Sequence, residues 1–306
     1  MHILITGGMG FVGSHLSEYL VKQGHEITIF DNLSNSQIMF SNSNIKFIEG
    51  NILDNQLLDK SLKNIEIVIH LAAQISVSDS IRDPENTMKI NVDGTKNILT
   101  ACIENNIKNF IGISTAAIFG NTEEILSENS SPNPISPYGK SKLIMEELII
   151  DFSKKYDLNS VIFRFFNLYG PRQSTQYAGV ITKFLKNLQE NKPLEIFGDG
   201  NQTRDFIHID DAIQCIHLAI NNLEGKNGRV YNIGSGTSTS ISKLASLLLE
   251  LTGKNMPIQF KPGIKGDIIH SRTSINLAKN ELNFEPKISL EEGLSRFLQD
   301  MKENNF

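Results

Sequence analysis

The 306-residue sequence predicts an α/β protein, a doubly wound parallel sheet accompanied by a second, smaller lobe. In the first half of the chain, short, continuously apolar runs alternate with longer segments of helical period, the pattern of a parallel sheet covered on both faces. The first run leads directly into a glycine-rich turn and a helical segment. After about residue 167, helical segments joined by Gly-, Asn- and Pro-rich loops replace this alternation, which predicts the second lobe.

Each predicted element rests on the period of its apolar residues. The strands are residues 3–6, 26–30, 45–48, 65–70, 110–114 and 160–164. The helices between them are residues 11–23, 86–105 and 138–156. In the second lobe, helices are predicted at residues 179–190, 210–222, 241–251 and 290–301.

The composition excludes several classes of protein. Hydrophobic residues make up 40% of the chain and charged residues 21%, which is enough apolar mass for a folded core. A net charge of -5 offers no basic face to nucleic acid or anionic lipid. The longest apolar stretch is too short to span a bilayer, and the N-terminus has no signal-peptide features. We therefore expect a soluble, cytoplasmic protein.

The cysteines and histidines predict neither a disulfide framework nor a metal site. Cys102 and Cys215 lie far apart and are interpreted as buried small hydrophobes in a reducing compartment. No histidine pair has the spacing of metal ligands, so no metal is predicted. We interpret His208 and His270, near motifs of the second lobe, as packed or surface imidazoles.

The turn after the first predicted strand carries Gly7, Gly10 and Gly13, followed at once by a helical pattern. Such glycines let the backbone approach a pyrophosphate, to which the helix N-terminus presents free N–H groups. The second predicted strand ends at Asp31, 18 residues beyond Gly13. A carboxylate there can accept both ribose hydroxyls of NAD and would repel the 2′-phosphate of NADP. The alternative is a glycine-rich turn and a surface aspartate, but both features fall in the required register.

Tyr138 and Lys142 stand four residues apart in a predicted helix and so share one face. A free tyrosine, with a pKa of about 10, is a poor base at neutral pH. A nearby ammonium and a positively charged nicotinamide both favour the phenolate, so we expect them to lower the pKa of Tyr138. This spacing also occurs by chance, and its weight here comes from the glycine turn and from Ser114 and Thr115 after the fifth predicted strand.

Further motifs follow in order along the chain. They are His70-Leu71-Ala72-Ala73, Asn91-Val92-Asp93-Gly94-Thr95, Pro137-Tyr138-Gly139-Lys140-Ser141-Lys142, the run Arg164 to Arg172 with Asn167 at its centre, and the run Phe197 to Phe206. Together with the glycine spacing, they resemble the extended short-chain dehydrogenase/reductases, in particular nucleotide-sugar 4-epimerases of the UDP-glucose/UDP-N-acetylglucosamine type. The resemblance implies a Rossmann sheet, NAD as cofactor, and C4 epimerisation of a UDP-hexose through a transient 4-keto sugar.

The resemblance also implies the roles of individual residues. Tyr138 is the catalytic base, Lys142 supports it and Thr115 hydrogen-bonds the reacting sugar oxygen. The cofactor would be bound by Gly7, Gly10, Phe11, Val12, Gly13, Asp31, Asn32, Asn51, Ile52, Leu71, Ala72, Ala73, Asn91, Tyr138, Lys142 and Phe165. The substrate would be bound by Ser76, Thr115, Asn167, Val180, Phe197, Gln202, Arg204, Asp267 and Ser271. For Arg204 the alternative is a surface ion pair with Asp205.

Particular positions bear on specificity. Ser271 stands where some UDP-glucose-restricted epimerases carry a tyrosine, so we expect room for a 2-N-acetyl group. Ala116 and Ala117 stand where related dehydratases and decarboxylases carry acids, and alanine transfers no proton. Asn51 replaces a frequent aspartate, and Ile264 replaces an arginine that binds phosphate.

Three alternatives stay open from the sequence. The first is an epimerase of another nucleotide sugar, namely UDP-glucuronate or a GDP- or dTDP-hexose. The second is a 4-keto reductase, which Asp31 disfavours because such enzymes usually bind NADPH. The third is a redox-sensing regulator without activity, which has no use for the base Tyr138.

The domain organisation and assembly are also predicted from the resemblance. Residues 1–167 and 206–233 would form the NAD-binding domain, and residues 168–205 and 234–306 the nucleotide-sugar-binding lobe. In such enzymes, helices corresponding to residues 86–105 and 138–156 form a four-helix bundle across a homodimer. Alternatively, these helices merely cover the sheet.

Overall fold

The computed structural model describes residues 1–35, 44–174, 179–263 and 268–303. The strands are β1 (His2–Thr6), β2 (Glu26–Asp31), β3 (Ile45–Glu49), β4 (Ile67–His70), β5 (Asn109–Thr115), β6 (Asn159–Phe165), β7 (Asn167–Tyr169), β8 (Leu194–Phe197), β9 (Thr203–His208), β10 (Asn227–Ile233), β11 (Ser238–Ser240) and β12 (Ile258–Lys261). The helices are α1 (Phe11–Lys22), α2 (Asn55–Ser61), α3 (Val77–Arg82), α4 (Pro84–Met88), α5 (Gly94–Glu104), α6 (Pro137–Tyr156), α7 (Val180–Gln189), α8 (Ile209–Ile220), α9 (Ile241–Thr252), α10 (Asn276–Leu282) and α11 (Leu290–Glu303). All six predicted strands, and every predicted helix except that over 86–105, are confirmed with ends within two residues.

The prediction of one helix over residues 86–105 is wrong. A π-helical turn, Lys89–Asp93, separates α4 from α5. Such a turn inserts an extra residue into the helical ladder. Its flanking residues Met88 and Gly94 keep ordinary right-handed dihedral angles, so the chain stays helical on both sides of the turn.

The chain divides into two compact units. The first comprises Met1–Ile118, Pro134–Arg164 and Ile213–Tyr231, and the second comprises Phe119–Asn133, Phe165–Ala212 and Asn232–Phe306.

A seven-stranded sheet of order β10-β6-β5-β4-β1-β2-β3 forms the centre of the first unit. β1 pairs in parallel with both β2 and β4, and the same sense continues to β3 on one side and β5 on the other. The chain therefore reverses its direction of winding between β1 and β4, and open α/β sheets bind ligands at such a switch point. The doubly wound parallel sheet is confirmed.

The sequence analysis missed the edge strand β10. Its first four residues alternate between exposed and partly buried, so they form no continuous apolar run. It lies beside β6. Hydrogen bonds flank the pair, from Ser160 N–H to Lys226 O just before β10 (2.9 Å) and from Phe166 N–H just after β6 to Ile233 O (2.9 Å). By contrast, inner-strand residues such as Leu4, Val68 and Phe110 are fully buried, which explains why the inner strands were predictable.

The second unit contains a three-stranded sheet, β11-β9-β7, and a two-stranded sheet, β12-β8. In the first of these, Asn167 of β7 lies opposite Phe206 of β9, and Arg204 lies opposite Thr239 of β11. A separate apolar core includes Phe184 of α7, Leu244 and Leu248 of α9, Leu294 and Phe297 of α11, and Leu194 of β8. These strands are three to six residues long and their apolar signal was too weak for prediction.

The remaining predictions concern membranes, metals and cysteines. Among the described helices, none has both the length and the apolar character that crossing a membrane requires. Within the described ranges, no group of three or more histidine, cysteine or carboxylate side chains is placed to hold a metal ion. Cys102 and Cys215 are buried free thiols, as predicted, and burial raises the pKa of both.

Candidate active site

The glycine turn after β1 is closed by backbone contacts. Gly7 has φ of +70°, and its N–H donates to Phe30 O (2.9 Å). A Cβ on Gly7 would lie 2.6 Å from the nitrogen of Ala72, in the loop after β4. A Cβ on Gly13 would lie 2.4 Å from Gly7 O. Only glycine permits this close approach of the turn, the start of α1 and the neighbouring loop.

The start of α1 is suited to an anion. Gly10 is its N-cap residue; among the described residues no side chain caps it, and its own first turn contains no acidic residue. The N–H groups of the first turn, which includes Phe11, Val12 and Gly13, therefore have no carboxylate of that turn to compete with an anion. These features fit the pyrophosphate of a dinucleotide.

Asp31 lies at the end of β2, beside the turn. Its carboxylate accepts hydrogen bonds from Met9 N–H (3.0 Å) and Leu33 N–H (2.8 Å). These bonds fix the carboxylate, and each oxygen keeps a second lone pair for a ribose hydroxyl. The neighbouring Asn32 is exposed and its side-chain oxygen accepts from Ser34 N–H.

The other predicted cofactor residues of the first unit follow β3 and β4. Asn51 accepts from Leu53 N–H (3.0 Å) through its amide oxygen, and Ile52 is buried against Gly94. Leu71, Ala72 and Ala73 are partly buried. The structure thus collects residues from the carboxyl ends of four strands, β1 to β4, where a dinucleotide fits the doubly wound sheet.

The buried imidazole of His70 links three elements around this site. It hydrogen-bonds the hydroxyls of Thr6 in β1 (2.7 Å) and Thr95 in α5 (2.9 Å). Burial, with a smaller contribution from the nearby Lys142, lowers the pKa of His70 to about 3. The imidazole is therefore neutral at physiological pH and acts as a brace.

Asn91, predicted as a cofactor residue, lies in the π-helical turn and is buried. Its side-chain N–H groups donate to Gln74 O (2.9 Å) and Ser141 Oγ (2.9 Å), and its oxygen accepts from Gln74 N–H (2.8 Å). Both amide hydrogens are therefore used within the protein. The contact with Ser141 braces α6 beside Lys142.

The residues proposed for catalysis meet at the start of α6. Ser136 caps this helix by accepting from Gly139 N–H (3.0 Å), and Pro137 follows in the first turn. A Cβ on Gly139 would lie 2.6 Å from Ala117 O, so the helix packs tightly against the segment after β5. That packing brings Tyr138 within hydrogen-bonding reach of Thr115.

The expectation of a lowered tyrosine pKa is wrong for the polypeptide itself. Burial raises the pKa of Tyr138, and the hydrogen bond to Thr115 offsets this only in part. Lys142 is 4% exposed, and its ammonium contacts Met145 Sδ (3.1 Å). Burial lowers the pKa of Lys142 to about 8, while Glu146 raises it. The chain alone thus keeps the phenol protonated at neutral pH.

Sequence analysis missed a buried charged cluster behind these residues. Arg164 of β6 donates to the carboxylate of Glu146 on α6, with Nη2 to Oε2 at 2.7 Å and Nε to Oε1 at 3.0 Å. The hydroxyl of Ser114, at the end of β5, donates to the same carboxylate. The available signal was an acidic residue one helical turn beyond Lys142 on the buried face of α6.

In the second unit, two of the predicted substrate residues are in contact. The Asn167 side-chain amide donates to Asp205 O (3.0 Å) and to Ser271 Oγ (3.4 Å). Ser271 is 4% exposed, and its N–H donates to Thr203 O (3.1 Å). The buried carboxylate of Asp205 accepts from the N–H and hydroxyl of Ser235 (2.7 and 2.8 Å). The two bonds of the Asn167 amide hold it against β9, the central strand of the β11-β9-β7 sheet, and against Ser271.

The remaining predicted substrate residues are more dispersed. Gln202 donates to Phe197 O (2.6 Å), and the Phe197 ring is 40% exposed. Arg204 is partly buried and donates to Thr203 O (2.9 Å). Val180 is the first residue of α7. Ser76, also predicted to bind the substrate, caps α3 in the first unit. Phe165, predicted to bind the cofactor, is buried in the second unit. Asp267 and Ile264 lie outside the described residues.

Comparison with known proteins gives one matching family model and several similar solved structures. Residues 3–234 match the model of the NAD dependent epimerase/dehydratase family. The structure is similar to UDP-glucose 4-epimerase of Thermotoga maritima with UDP-glucose, with TM-score 0.95 and 37% identity over 100% of both chains. It is similar to UDP-N-acetylglucosamine 4-epimerase of Methanobrevibacter ruminantium in complex with UDP-N-acetylmuramic acid (0.93, 32%, covering 99% and 98% of the two chains). It is also similar to UDP-glucuronic acid 4-epimerase of Bacillus cereus with UDP-glucuronic acid and NAD (0.92, 34%, 99% and 100%).

Proposed function

The chain belongs to the NAD dependent epimerase/dehydratase family, and from this premise we propose that it epimerises UDP-hexoses at C4. The proposed substrates are UDP-glucose and UDP-galactose, together with the N-acetylated pair. One observation carries the proposal: Tyr138 is hydrogen-bonded to Thr115 and stands one turn before Lys142 on α6. A phenol, a hydroxyl and an ammonium in this order can move a proton to and from a sugar hydroxyl.

NAD is the cofactor of this family, and we assign its binding to the first unit. The first turn of α1 would hold the pyrophosphate and Asp31 the adenosine ribose. Lys142 would reach the nicotinamide ribose. When bound, the nicotinamide supplies reversible acceptance of a hydride.

The chain's own residues would perform the proton transfers. The Tyr138 phenolate would take the proton of the C4 hydroxyl, and Thr115 would hold the C4 oxygen. After the 4-keto sugar has turned, Tyr138 would return the proton to that oxygen. The hydride accepted by the bound cofactor would go back to C4 on the opposite face, so the reaction would need no external oxidant or reductant. Lys142 carries positive charge below its pKa of about 8 and so favours the phenolate at neutral pH.

The segment after Thr115 supports epimerisation rather than elimination or decarboxylation. Ala116 and Ala117 form a 3-10 turn with Ile118. None of these side chains can donate or accept a proton. This turn therefore offers no acid for elimination or decarboxylation. The residues around Tyr138 are left with the proton transfers that accompany the movement of a hydride.

We assign recognition of the nucleotide sugar to the second unit. Asn167 and Arg204 supply hydrogen-bond donors for the diphosphate or sugar, and a guanidinium suits a diphosphate in particular. Phe197 offers an exposed ring for the uracil. Ser271, small and adjacent to Asn167, leaves space for an N-acetyl group.

The substrate is tested by incubating the purified protein, without added cofactor, with UDP-glucose, UDP-N-acetylglucosamine, UDP-glucuronate, GDP-mannose and dTDP-glucose. Chromatography of the products should show conversion of the first two to their C4 epimers. If only UDP-glucuronate reacted, the proposed substrate would be wrong. If a nucleotide sugar lost water or carbon dioxide, the proposed reaction would be wrong.

The base is tested by Tyr138→Phe, with Tyr156→Phe at the far end of the same helix as the matched control. Tyr138→Phe should lower kcat by about 1,000-fold or more while NAD stays bound, since only the transferable proton is lost. Tyr156→Phe should retain activity. Near-full epimerase activity in Tyr138→Phe would refute the assignment.

We also propose that the protein is a homodimer through the helices at residues 84–104 and 137–156, by similarity to other extended short-chain dehydrogenase/reductases. Sedimentation equilibrium at micromolar concentration should give twice the mass of the chain. A monomer at that concentration would refute this assembly.

A further inference from the structure

The charged cluster behind Tyr138 joins three elements of the first unit. Glu146 lies on α6, Arg164 on β6 and Ser114 on β5. Glu146 is 1% exposed and Arg164 is 7% exposed. Hydrogen bonds of 2.7, 3.0 and 3.1 Å join the guanidinium to the carboxylate, whose Oε1 also accepts from the Ser114 hydroxyl. The carboxylate is thus held in one orientation by donors from two strands.

A buried pair of charges is weak evidence for a role in stability. Removing both charges from water costs about as much as their attraction returns, and apolar replacements are often equally stable. The placement of this pair therefore calls for another explanation. A fixed charge inside a protein acts strongly on neighbouring charged groups, because the surrounding dielectric is low.

Both ends of the cluster adjoin residues that we assign to catalysis. Glu146 follows Lys142 by one helical turn on α6, so their side chains share a face. Ser114 directly precedes Thr115 at the end of β5. One carboxylate is therefore connected to the segment that carries the sugar-binding hydroxyl and to the helix that carries the phenol and the ammonium.

We propose that Glu146, held by Arg164 and Ser114, is a positioning residue that keeps the Lys142 side chain charged and in place beside Tyr138. The inference rests on the proposed function in assigning Tyr138 as the base. Glu146 itself touches neither the sugar nor the cofactor in this proposal. It acts through Lys142 and through the strand end at Thr115.

Among the described residues, the other ionisable groups around Lys142 do not provide this negative charge. His70 faces it from β4 and is neutral. Tyr138, on its own helix, is protonated at neutral pH in the polypeptide. On α3, which packs against α6, Asp79 pairs with Arg82, and Glu85 of α4 is exposed. Glu146 opposes the effect of burial on Lys142, whose pKa of about 8 lies close to physiological pH.

The test removes the carboxylate charge together with the charge of the guanidinium that it faces. Glu146→Gln by itself takes away the carboxylate that accepts from Arg164 and endangers folding. The double variant Glu146→Gln/Arg164→Met removes both charges, and glutamine still accepts from Ser114. Glu147→Gln removes the same charge from the adjacent, exposed position of α6 and is the matched control.

Two measurements follow on the NAD-loaded proteins. NMR of ¹³C-labelled lysine side chains, with the Lys142 signal identified by its absence in Lys142→Met, gives the Lys142 titration directly. In the double variant, the pKa of Lys142 and the alkaline limb of kcat/KM should both fall by about one pH unit relative to wild type. Thermal melting should stay near that of wild type, and Glu147→Gln should shift neither quantity.

The outcomes separate this proposal from the proposed function. An unchanged Lys142 titration in a folded double variant would overturn the inference, as would a loss of activity that is equal at every pH. If Tyr138→Phe retained turnover, the assignment of the base would fail, whatever the lysine titration showed. If no nucleotide sugar reacted, the NMR titration would still decide whether Glu146 controls the charge of Lys142.

Discussion

The glycine turn of the first unit and the β11-β9-β7 sheet of the second hold their candidate ligand groups by different means. In the turn, backbone packs on backbone, and a Cβ on Gly13 would lie 2.4 Å from Gly7 O. In the sheet, a side chain holds the site, since the Asn167 amide donates to Asp205 O and Ser271 Oγ. The turn is built from one short stretch of chain, whereas Asn167 and Ser271 are 104 positions apart in sequence.

This difference shows which part of each site can change. A backbone contact of that closeness admits glycine alone, because any other residue displaces the main chain. A side-chain hydrogen bond can be exchanged for another at the cost of about 1 kcal/mol. We therefore expect the dinucleotide site to be fixed by steric constraints and the sugar site to be adjustable.

The prediction with the largest expected effect compares two glycines whose backbones lie in the left-handed region. Gly7 (φ +70°) is crowded by Ala72, whereas Gly24 (φ +84°) has nothing within 4 Å of an added Cβ. Gly24→Ala should cost about 1 kcal/mol for its dihedral angles alone. Gly7→Ala should cost about 4 kcal/mol and abolish NAD binding, because the loop after β4 must move. Urea unfolding and NAD titration measure both; equal losses would show that crowding at the turn is unimportant.

In the first unit, the buried ammonium of Lys142 is expected to support catalysis and to lower the stability of the fold. Because its folded pKa of about 8 lies below its ordinary 10.5, burying the ammonium destabilises the fold below pH 8. This cost is relieved as the pH rises from about 8 towards 10.5. Lys142→Met should therefore stabilise the protein by about 3 kcal/mol at pH 7 and much less at pH 10.5, while kcat falls by about 100-fold or more.

Chemical unfolding of wild type and Lys142→Met at several pH values checks this prediction. Lys140→Met, at an exposed position two residues earlier, is the control and should change neither property. A variant less stable than wild type at pH 7 would contradict the inferred cost of burying the charge.

At the edge of the turn, Asp31 combines a backbone contact with a ligand role. Asp31→Ala should weaken NAD binding by about 10- to 100-fold, since charged acceptors of the ribose and of Met9 N–H are lost. The affinity for NADP should fall far less, so the ratio of the two affinities should move closer to one. Fluorescence titration with both reduced cofactors gives the ratio, with Glu26→Ala at the exposed opposite end of β2 as control. An unaltered ratio would remove Asp31 from the cofactor site.

The smallest effects are expected in the second unit, at Ser271. Ser271→Ala removes only the 3.4 Å contact with Asn167 and should change kcat/KM by less than about threefold. Ser271→Tyr adds a ring at a buried position and should disfavour UDP-N-acetylglucosamine relative to UDP-glucose by about tenfold or more. The ratio of the two kcat/KM values is the measurement. A ratio unchanged by tyrosine would show that this position does not face the sugar.

The features predicted correctly from sequence share a local origin. The β1 strand, the glycine turn and α1 form one continuous stretch, so their motif and period are visible together. The buried strands of the sheet were predictable because each is apolar on both faces. The placement of Tyr138 and Lys142 one turn apart on one helix follows from helical spacing alone.

What the sequence left open depends on contacts between distant segments. The edge strand β10 is recognised as a strand only from its place beside β6. The π-helical turn at residues 89–93 is recognised only from the contacts of Asn91, whose side chain donates to Gln74 O and Ser141 Oγ. The raised pKa of Tyr138 comes from burial, which no local pattern reports.

The sequence by itself thus determined the doubly wound sheet, the glycine turn between β1 and α1 and the placement of Tyr138 and Lys142 one turn apart on α6, because short-range sterics and periodicity encode them. Only the tertiary structure decided that Glu146 and Arg164 stand behind that lysine and that Ser271 touches Asn167. Charge and hydrogen bonding act through space, and the chain brings those partners together only when the strands that carry them have paired.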